Sequence, residues 1–133
     1  MKKLIILLAV TILIFSGCTK SDSSKPAQDF LTSHNWRSDA VYQDNVNMNI
    51  DACYRDDLWK FQTGNVFVFD QGAVKCVATD PQTNTGSWSI SGQSLTISAN
   101  GGSSTYTITV VDDSKLEMTR TNGSVYRYVF VAQ

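Results

Sequence analysis

From Trp36 to the C-terminus the chain is a series of short alternating runs, broken by turn chemistry about every ten residues. The runs span 36–42, 57–61, 66–70, 74–78, 87–90, 94–98, 104–111, 115–120 and 124–131. Between them stand Thr63-Gly64-Asn65, Ser91-Gly92, Asn100-Gly101-Gly102, Asp112-Asp113-Ser114 and Thr121-Asn122-Gly123. Glycine and asparagine tolerate left-handed backbone, and aspartate bonds its own turn, so each group suits a tight reversal. Loops this short join antiparallel neighbours, which predicts strands that run up and down in order. The only helical signal of note is residues 26–32, where Pro26 suits a first helical position and Phe30 and Leu31 could pack onto the domain.

Hairpin arithmetic assigns faces. A turn at Thr63-Gly64 pairs Phe61 with Val66 and Trp59 with Val68, leaving Leu58, Lys60, Phe67 and Phe69 on the opposite face. A turn at Ser91-Gly92 pairs Ile90 with Leu95 and Trp88 with Ile97. The next two turns place Ile97 near Tyr106, Leu95 near Ile108, Val110 near Leu116 and Ile108 near Met118. One face then carries these apolar residues, and the other carries Ser, Thr, Lys and Glu. One dry face and one wet face suit an antiparallel sheet turned toward solvent. Eight or so strands laid flat would expose long edges, and closure removes them. The expected fold is therefore all-β, a single antiparallel up-and-down barrel of about eight strands with a short N-terminal helical turn; a sandwich is the alternative.

The N-terminus reads as an export signal. Lys2 and Lys3 precede an apolar run from Leu4 to Phe15 broken only by Thr11, and Ser16-Gly17 ends it before Cys18. The run is short for a bilayer span, which takes ~20 apolar residues. Small residues followed by cysteine resemble the lipobox of bacterial lipoproteins. That resemblance implies cleavage before Cys18, acylation of its thiol and, with Thr19 rather than Asp next, sorting to the outer membrane. The expected organisation is a signal peptide at 1–17, lipidated Cys18 with a Ser-rich tether at 18–28, and one domain at 29–133.

Removal of Lys2 and Lys3 leaves 9 basic against 12 acidic residues, a net charge of −3 with the lone His34 neutral. There is no basic patch for nucleic acid. With Cys18 assigned to lipid, Cys53 and Cys76 remain. An exported chain with two cysteines reads as one disulfide, and the pair closes the open end of the 57–70 hairpin. A loop of that length would contribute roughly 3 kcal/mol. Zinc would need further close ligands, and His34 alone is available.

Several segments together resemble the small lipocalin-like lipoproteins of Bacteroidetes-type bacteria. They are Phe30-Leu31 with Trp36; Cys53 followed by Asp56-Asp57-Leu58-Trp59-Lys60-Phe61; Cys76; and Gly86-Ser87-Trp88-Ser89-Ile90 with Leu95-Thr96-Ile97. The resemblance covers most of 29–119 and implies a closed barrel with an apolar interior. Lipocalins usually carry Gly-x-Trp on the first strand with a late-strand arginine stacked on the tryptophan. Here His34 replaces that glycine, and the implied barrel-closing pair is Trp36 with Arg127, or Arg120 in its place.

Catalytic chemistry has little support. His34 is the one histidine, and a nucleophilic triad needs three converging groups. Asp56-Asp57 could contribute to a calcium site, but neighbours on a strand face opposite ways, and Asp112-Asp113 belongs to a turn. No catalytic residue, metal site or cofactor is expected. The candidate ligand-lining residues are Trp59, Phe61, Trp88, Tyr106, Ile108 and Met118, with Tyr126, Tyr128 and Phe130 as further aromatics. Barrels of eight strands lie between a packed interior and a one-ligand cavity. The expected function is a non-enzymatic, lipid-anchored envelope protein, held to the membrane by its acyl anchor, that takes a small apolar ligand in the barrel mouth. The alternative is a structural or protein-interaction module with a solid barrel. It would work through residues 42–57, where Tyr42, Asn45, Asn47, Met48, Asn49 and Ile50 form the longest stretch without a clear strand.

Overall fold

The computed structural model describes residues 25–133. The expected signal peptide, Cys18 and the tether through residue 24 lie outside the described residues. Helix α1 (Ala27–Ser33) is followed by β1 (Asn35–Gln43), β2 (Val46–Asn47), α2 (Ala52–Arg55), β3 (Leu58–Gln62) and β4 (Val66–Asp70). The remainder is β5 (Thr83–Ser91), β6 (Ser94–Ala99), β7 (Gly102–Val111), β8 (Lys115–Asn122) and β9 (Ser124–Ala132). All pairings are antiparallel. Strands β1 and β3 to β9 pair in order, and β1 pairs with β9 to close the cylinder. The fold is a closed eight-stranded barrel with β2 as an extra short strand, not a sandwich.

The turn chemistry sets most of the registers. Asn100 and Gly101 both adopt positive φ, 51° and 75°, between the paired Ala99 and Gly102. That left-handed pair matches the twist of the flanking strands. It centres the β6–β7 turn on Asn100-Gly101, one residue earlier than the expected pairs require. Leu95 therefore faces Tyr106 and Ile97 faces Ser104, a shift of two that keeps every side chain on its expected face. The β5–β6 pairing is as expected, with Trp88 opposite Ile97 and Ile90 opposite Leu95.

Three expectations fail locally. The β3–β4 loop holds three residues, with Gly64 and Asn65 both left-handed, so Trp59 faces Phe69 and Phe61 faces Phe67. A slip of one residue exchanges the faces of a strand. Phe67 and Phe69 thus join Trp59 and Phe61 on the inner side, and Val66 and Val68 do not. A bulge in β7 opposite β8 turns Val110 outward and brings Val111 opposite Leu116. Residues 74–78 form no strand; they lie in the loop 71–82. There the backbone finds side-chain partners in place of a ladder. Asp56 Oδ2 accepts from Ala73 N at 2.7 Å and Val74 N at 2.8 Å, and Lys75 Nζ donates to Ala78 O and Asp80 O. The partner of β4 is instead the polar stretch Thr83-Asn84-Thr85-Gly86 at the start of β5.

One end of the barrel is packed shut. Helix α1 lies across it with Leu31 fully buried, and Trp36 Nε1 donates to Leu31 O at 3.1 Å. Trp36, Phe61, Trp88, Leu95, Leu116 and Met118 belong to the continuous core at and above this end. The other end carries the long segments 44–57 and 71–82 and the turn at Asn100-Gly101.

Gly86 marks where two backbones approach. A Cβ there would stand 2.1 Å from Ser98 O and 2.8 Å from Ala99 Cβ. Backbone at that range must move, so Gly86→Ala is expected to destabilise by about 2–3 kcal/mol. A denaturant midpoint equal to that of the parent protein would refute this.

Candidate functional site

The open end of the barrel holds two cavities. The first, about 280 Å³, is lined by Trp59, Phe67, Phe69, Ile97, Ala99 and Tyr106, with Asn84, Asn100, Gly102, Ser103 and Ser104 at its edge. The second, about 310 Å³, is lined by Ser38, Ala40, Val41, Ile50, Tyr54, Asp57, Trp59, Phe69, Tyr128, Val129 and Phe130. Trp59 and Phe69 belong to both and form the wall between them.

The second cavity exists because β1 changes partners. Its pairing with β3 ends at Arg37 opposite Leu58, and its register with β9 shifts between Ser38 and Ala40. Above that point the seam between β1 and β3 opens, and Ile50 and Tyr54 from the 44–57 segment cover it. Cys53 of α2 is bridged to Cys76 of the 71–82 loop, with 5.1 Å between their Cα atoms. The two longest loops of the mouth are therefore tied together. Asp56 reinforces the tie, and Gln82 braces the 71–82 loop on itself and on β4 through Nε2 bonds to Gly72 O and Asp70 Oδ1.

Aromatic rings organise the interior. Trp59 meets Phe67 and Tyr106 edge-on at 5.5 and 5.9 Å between centroids and lies tilted on Phe130 at 5.0 Å. Tyr106 meets Tyr128 edge-on at 5.6 Å. Such offset contacts hold rings in place better than loose aliphatic chains would.

A lipocalin-like domain model matches residues 33–118, more than half of the chain. The chain belongs to the lipocalin-like domain family. No curated protein matches the chain. The family is a binding-type fold, and this lipocalin-like protein has the matching form, a barrel packed at one end and hollow at the other.

The structure separates the sequence-predicted lining residues into two groups. Trp59 and Tyr106 line the cavities. Phe61, Trp88, Ile108 and Met118 line neither of the two; they are almost fully buried in the core. Of the further aromatics, Tyr128 and Phe130 reach the second cavity. Phe69 faces inward because the β3–β4 register differs by one residue from the expected one, and the apolar side of β1 above Ser38 has no sequence signal, because a bulge at Asp39 cannot be read from alternation. Cys53 and Cys76 are bonded as expected.

The expected Trp36–Arg127 pair does not form. Arg127 lies 3.9 Å over the ring of Tyr42, its neighbour across β1 and β9, while Trp36 pairs with Ala132 near the far end of the same strand. Six residues of strand separate the two positions by about 20 Å. Arg120 lies over Tyr106 at 6.0 Å. Trp36 closes the packed end with Leu31 and, edge-on at 5.6 Å, His34.

Asp56 and Asp57 part company, as alternation requires. Asp56 serves the 71–82 loop, whereas Asp57 follows the inward phase of Trp59 and Phe61, is only 6% exposed and lines the second cavity. Among the described residues no group of histidine, cysteine and carboxylate side chains is arranged to hold a metal. Burial pushes the Asp57 carboxyl up to about 6, and the charges of Asp56 and Asp70 add to the effect. Asp70 itself is held below its ordinary range by hydrogen bonds from Lys60 and Gln82.

A raised carboxyl binds its proton more tightly folded than unfolded. Stability therefore falls as pH rises from the ordinary 3.8 through about 6, and the whole cost is present above that. Asp57→Asn removes the titration. Allowing for screening by the open mouth, it is expected to stabilise the protein by about 1–2 kcal/mol at pH 7.5 and to change little at pH 4. Melting curves at both pH values test this; equal shifts at the two would contradict it.

Proposed function

We propose that this lipocalin-like protein is a non-enzymatic, lipid-anchored envelope protein that binds a small apolar molecule in its open end. The observation that carries the reading is the pair of aromatic-lined cavities sharing Trp59 and Phe69, set over a solid core. Their volumes suit a ligand of modest size. Affinity would come from apolar area removed from water, at about 25 cal/mol per Å², with polar groups such as Asn84, Ser104 and Asp57 fixing orientation. His34, the lone histidine, sits at the packed end beside Asp113 and lines neither cavity.

Anchoring follows from the Cys18 motif and its resemblance to a lipobox, with Thr19 favouring the outer membrane. The described chain enters at the packed end, where Lys25 approaches Asp113 at 3.7 Å. A tether leading from there would turn the mouth away from the membrane that holds the lipid.

Native mass spectrometry of the protein purified from the envelope of an exporting host tests the reading. A co-purifying small molecule, lost on mild denaturation, is the expected result. A bare mass that also takes up no fatty acid, sterol-like compound or haem-like probe would overturn it.

A second reading, a protein-interaction module, draws on the rim. Val46, Met48, Val74, Val77 and Val125 are all exposed around the open end. Exposed apolar residues gathered at one end are a feature of interaction surfaces. Val46→Ser with Met48→Ser would abolish partner capture under this reading and spare ligand uptake.

A further inference from the structure

We propose that the second cavity selects small organic cations, protonated amines with an apolar body, seating the charged head against the Asp57 carboxyl. The proposal rests on the mouth-binding reading above and names the class of ligand. Three observations support it. Asp57 is 6% exposed and lines the cavity, and the described residues form no hydrogen bond to its carboxyl, whose oxygens keep an opening of their own, unlike the fully buried Asp56 Oδ1; only its main-chain oxygen is used, accepting from Ser38 N at 3.0 Å. A mostly buried carboxylate whose open oxygens face a binding cavity is poorly solvated there, and a donor from the ligand would satisfy it.

Among the described residues, Lys60, Arg37, Arg55 and Arg120 are engaged elsewhere. Lys60 Nζ is 2.7 Å from Asp70 Oδ2, Arg37 donates to Arg55 O, Arg55 donates to Ile50 O, and Arg120 lies over Tyr106. None of these lines the second cavity. Five of the ten other lining residues are aromatic: Tyr54, Trp59, Phe69, Tyr128 and Phe130. Ring faces attract an ammonium and add to the carboxylate's pull. An anion would meet Asp57 with Asp56 and Asp70 behind it. A neutral alcohol could give Asp57 one hydrogen bond but would leave its charge uncompensated.

The test uses three probes with one body: 2-phenylethylamine, 2-phenylethanol and 3-phenylpropionate. Each is titrated by Trp fluorescence into the full chain in phosphatidylcholine vesicles, with empty vesicles as the baseline for partitioning. At pH 7.5 the amine is expected to bind about 10- to 100-fold more tightly than the alcohol, the range of a charge-assisted bond, and the acid most weakly. Asp57→Asn should collapse the amine-to-alcohol ratio toward one. The parent protein offers the same test without a variant, because the ratio should fall as pH drops through about 6 and Asp57 takes up its proton. The other groups facing Asp57 are Asp56 beside it, Asp70 on β4, Tyr54 on α2 and Tyr128 on β9, while the histidine lies at the packed end.

Equal binding of amine and alcohol, unmoved by Asp57→Asn or by pH, would overturn the cation proposal and leave the apolar mouth intact. Preference for the alcohol or the acid would also overturn it. Binding of none of the three, together with a bare native mass, would remove the mouth-binding reading as well.

Discussion

Trp88→Ala is expected to lose about 3–5 kcal/mol of stability, most of what a domain of this size has to spare. Trp88 is 3% exposed, meets Phe61 edge-on at 5.4 Å and donates its Nε1 hydrogen to Gln62 O at 3.1 Å. Alanine would leave a cavity in the core and an acceptor without its donor. Thermal or denaturant unfolding of the variant reads the loss directly. Trp59→Ala should behave differently, since Trp59 is only partly buried and walls both cavities. There the larger effect is on binding, with affinity for an apolar probe reduced by about tenfold. Comparing the two variants separates core from mouth. A Trp88 variant that keeps its stability, or a Trp59 variant that keeps its affinity, would contradict this division.

Loss of the disulfide is the second large effect. Cys53 and Cys76 are 23 residues apart, and by the chain-entropy model closing such a loop contributes about 3 kcal/mol. The Cys53→Ser, Cys76→Ser double variant should melt roughly 10–15 °C lower than the oxidised parent. The local consequence is more specific. The bridge joins α2 to the 71–82 loop, so amide exchange should accelerate first in 44–57 and 71–82 and not in β5 to β8. Uniform acceleration across the barrel would mean that the bridge acts only on the unfolded chain. Unfolded, unreduced protein should show no free thiol at either position.

The sequence was most legible where the loops were shortest. Ser91-Gly92 leaves one way to pair β5 with β6, and both expected contacts, Trp88 with Ile97 and Ile90 with Leu95, are present. At Asn100-Gly101-Gly102 the turn is centred one residue earlier than expected, which shifts the register by two and so leaves the faces unchanged. At Thr63-Gly64-Asn65 the slip was a single residue, and that exchanged Phe67 and Phe69 for Val66 and Val68 in the interior. Apolar residues on both sides of β4 gave alternation nothing to discriminate. The candidate site suffered most from this, because Phe69 stands in the wall of both cavities.

Residues 71–82 failed for another reason. Val74 to Ala78 has strand-like residues, yet Val74 N is bonded by Asp56 and Ala78 O by Lys75, contacts between side chain and backbone that no period encodes. Conversely, Thr83 to Gly86 has almost no apolar character and is strand because β4 offers it a free edge.

The sequence by itself determined a run of antiparallel up-and-down strands, the helical turn at its start and the Cys53–Cys76 pairing, while the β1–β9 pairing decided for a closed barrel over a sandwich. Turn residues, alternation and cysteine count are local or countable properties, and they leave few alternatives. Only the tertiary structure decided where the barrel is solid and where it is hollow. That depends on bulges at Asp39 and in β7, on a one-residue register and on a helix laid across one end, which together decide whether an inward ring meets another ring or an opening. The same three-dimensional facts leave the Asp57 carboxyl facing a cavity, while its neighbour Asp56 holds a loop.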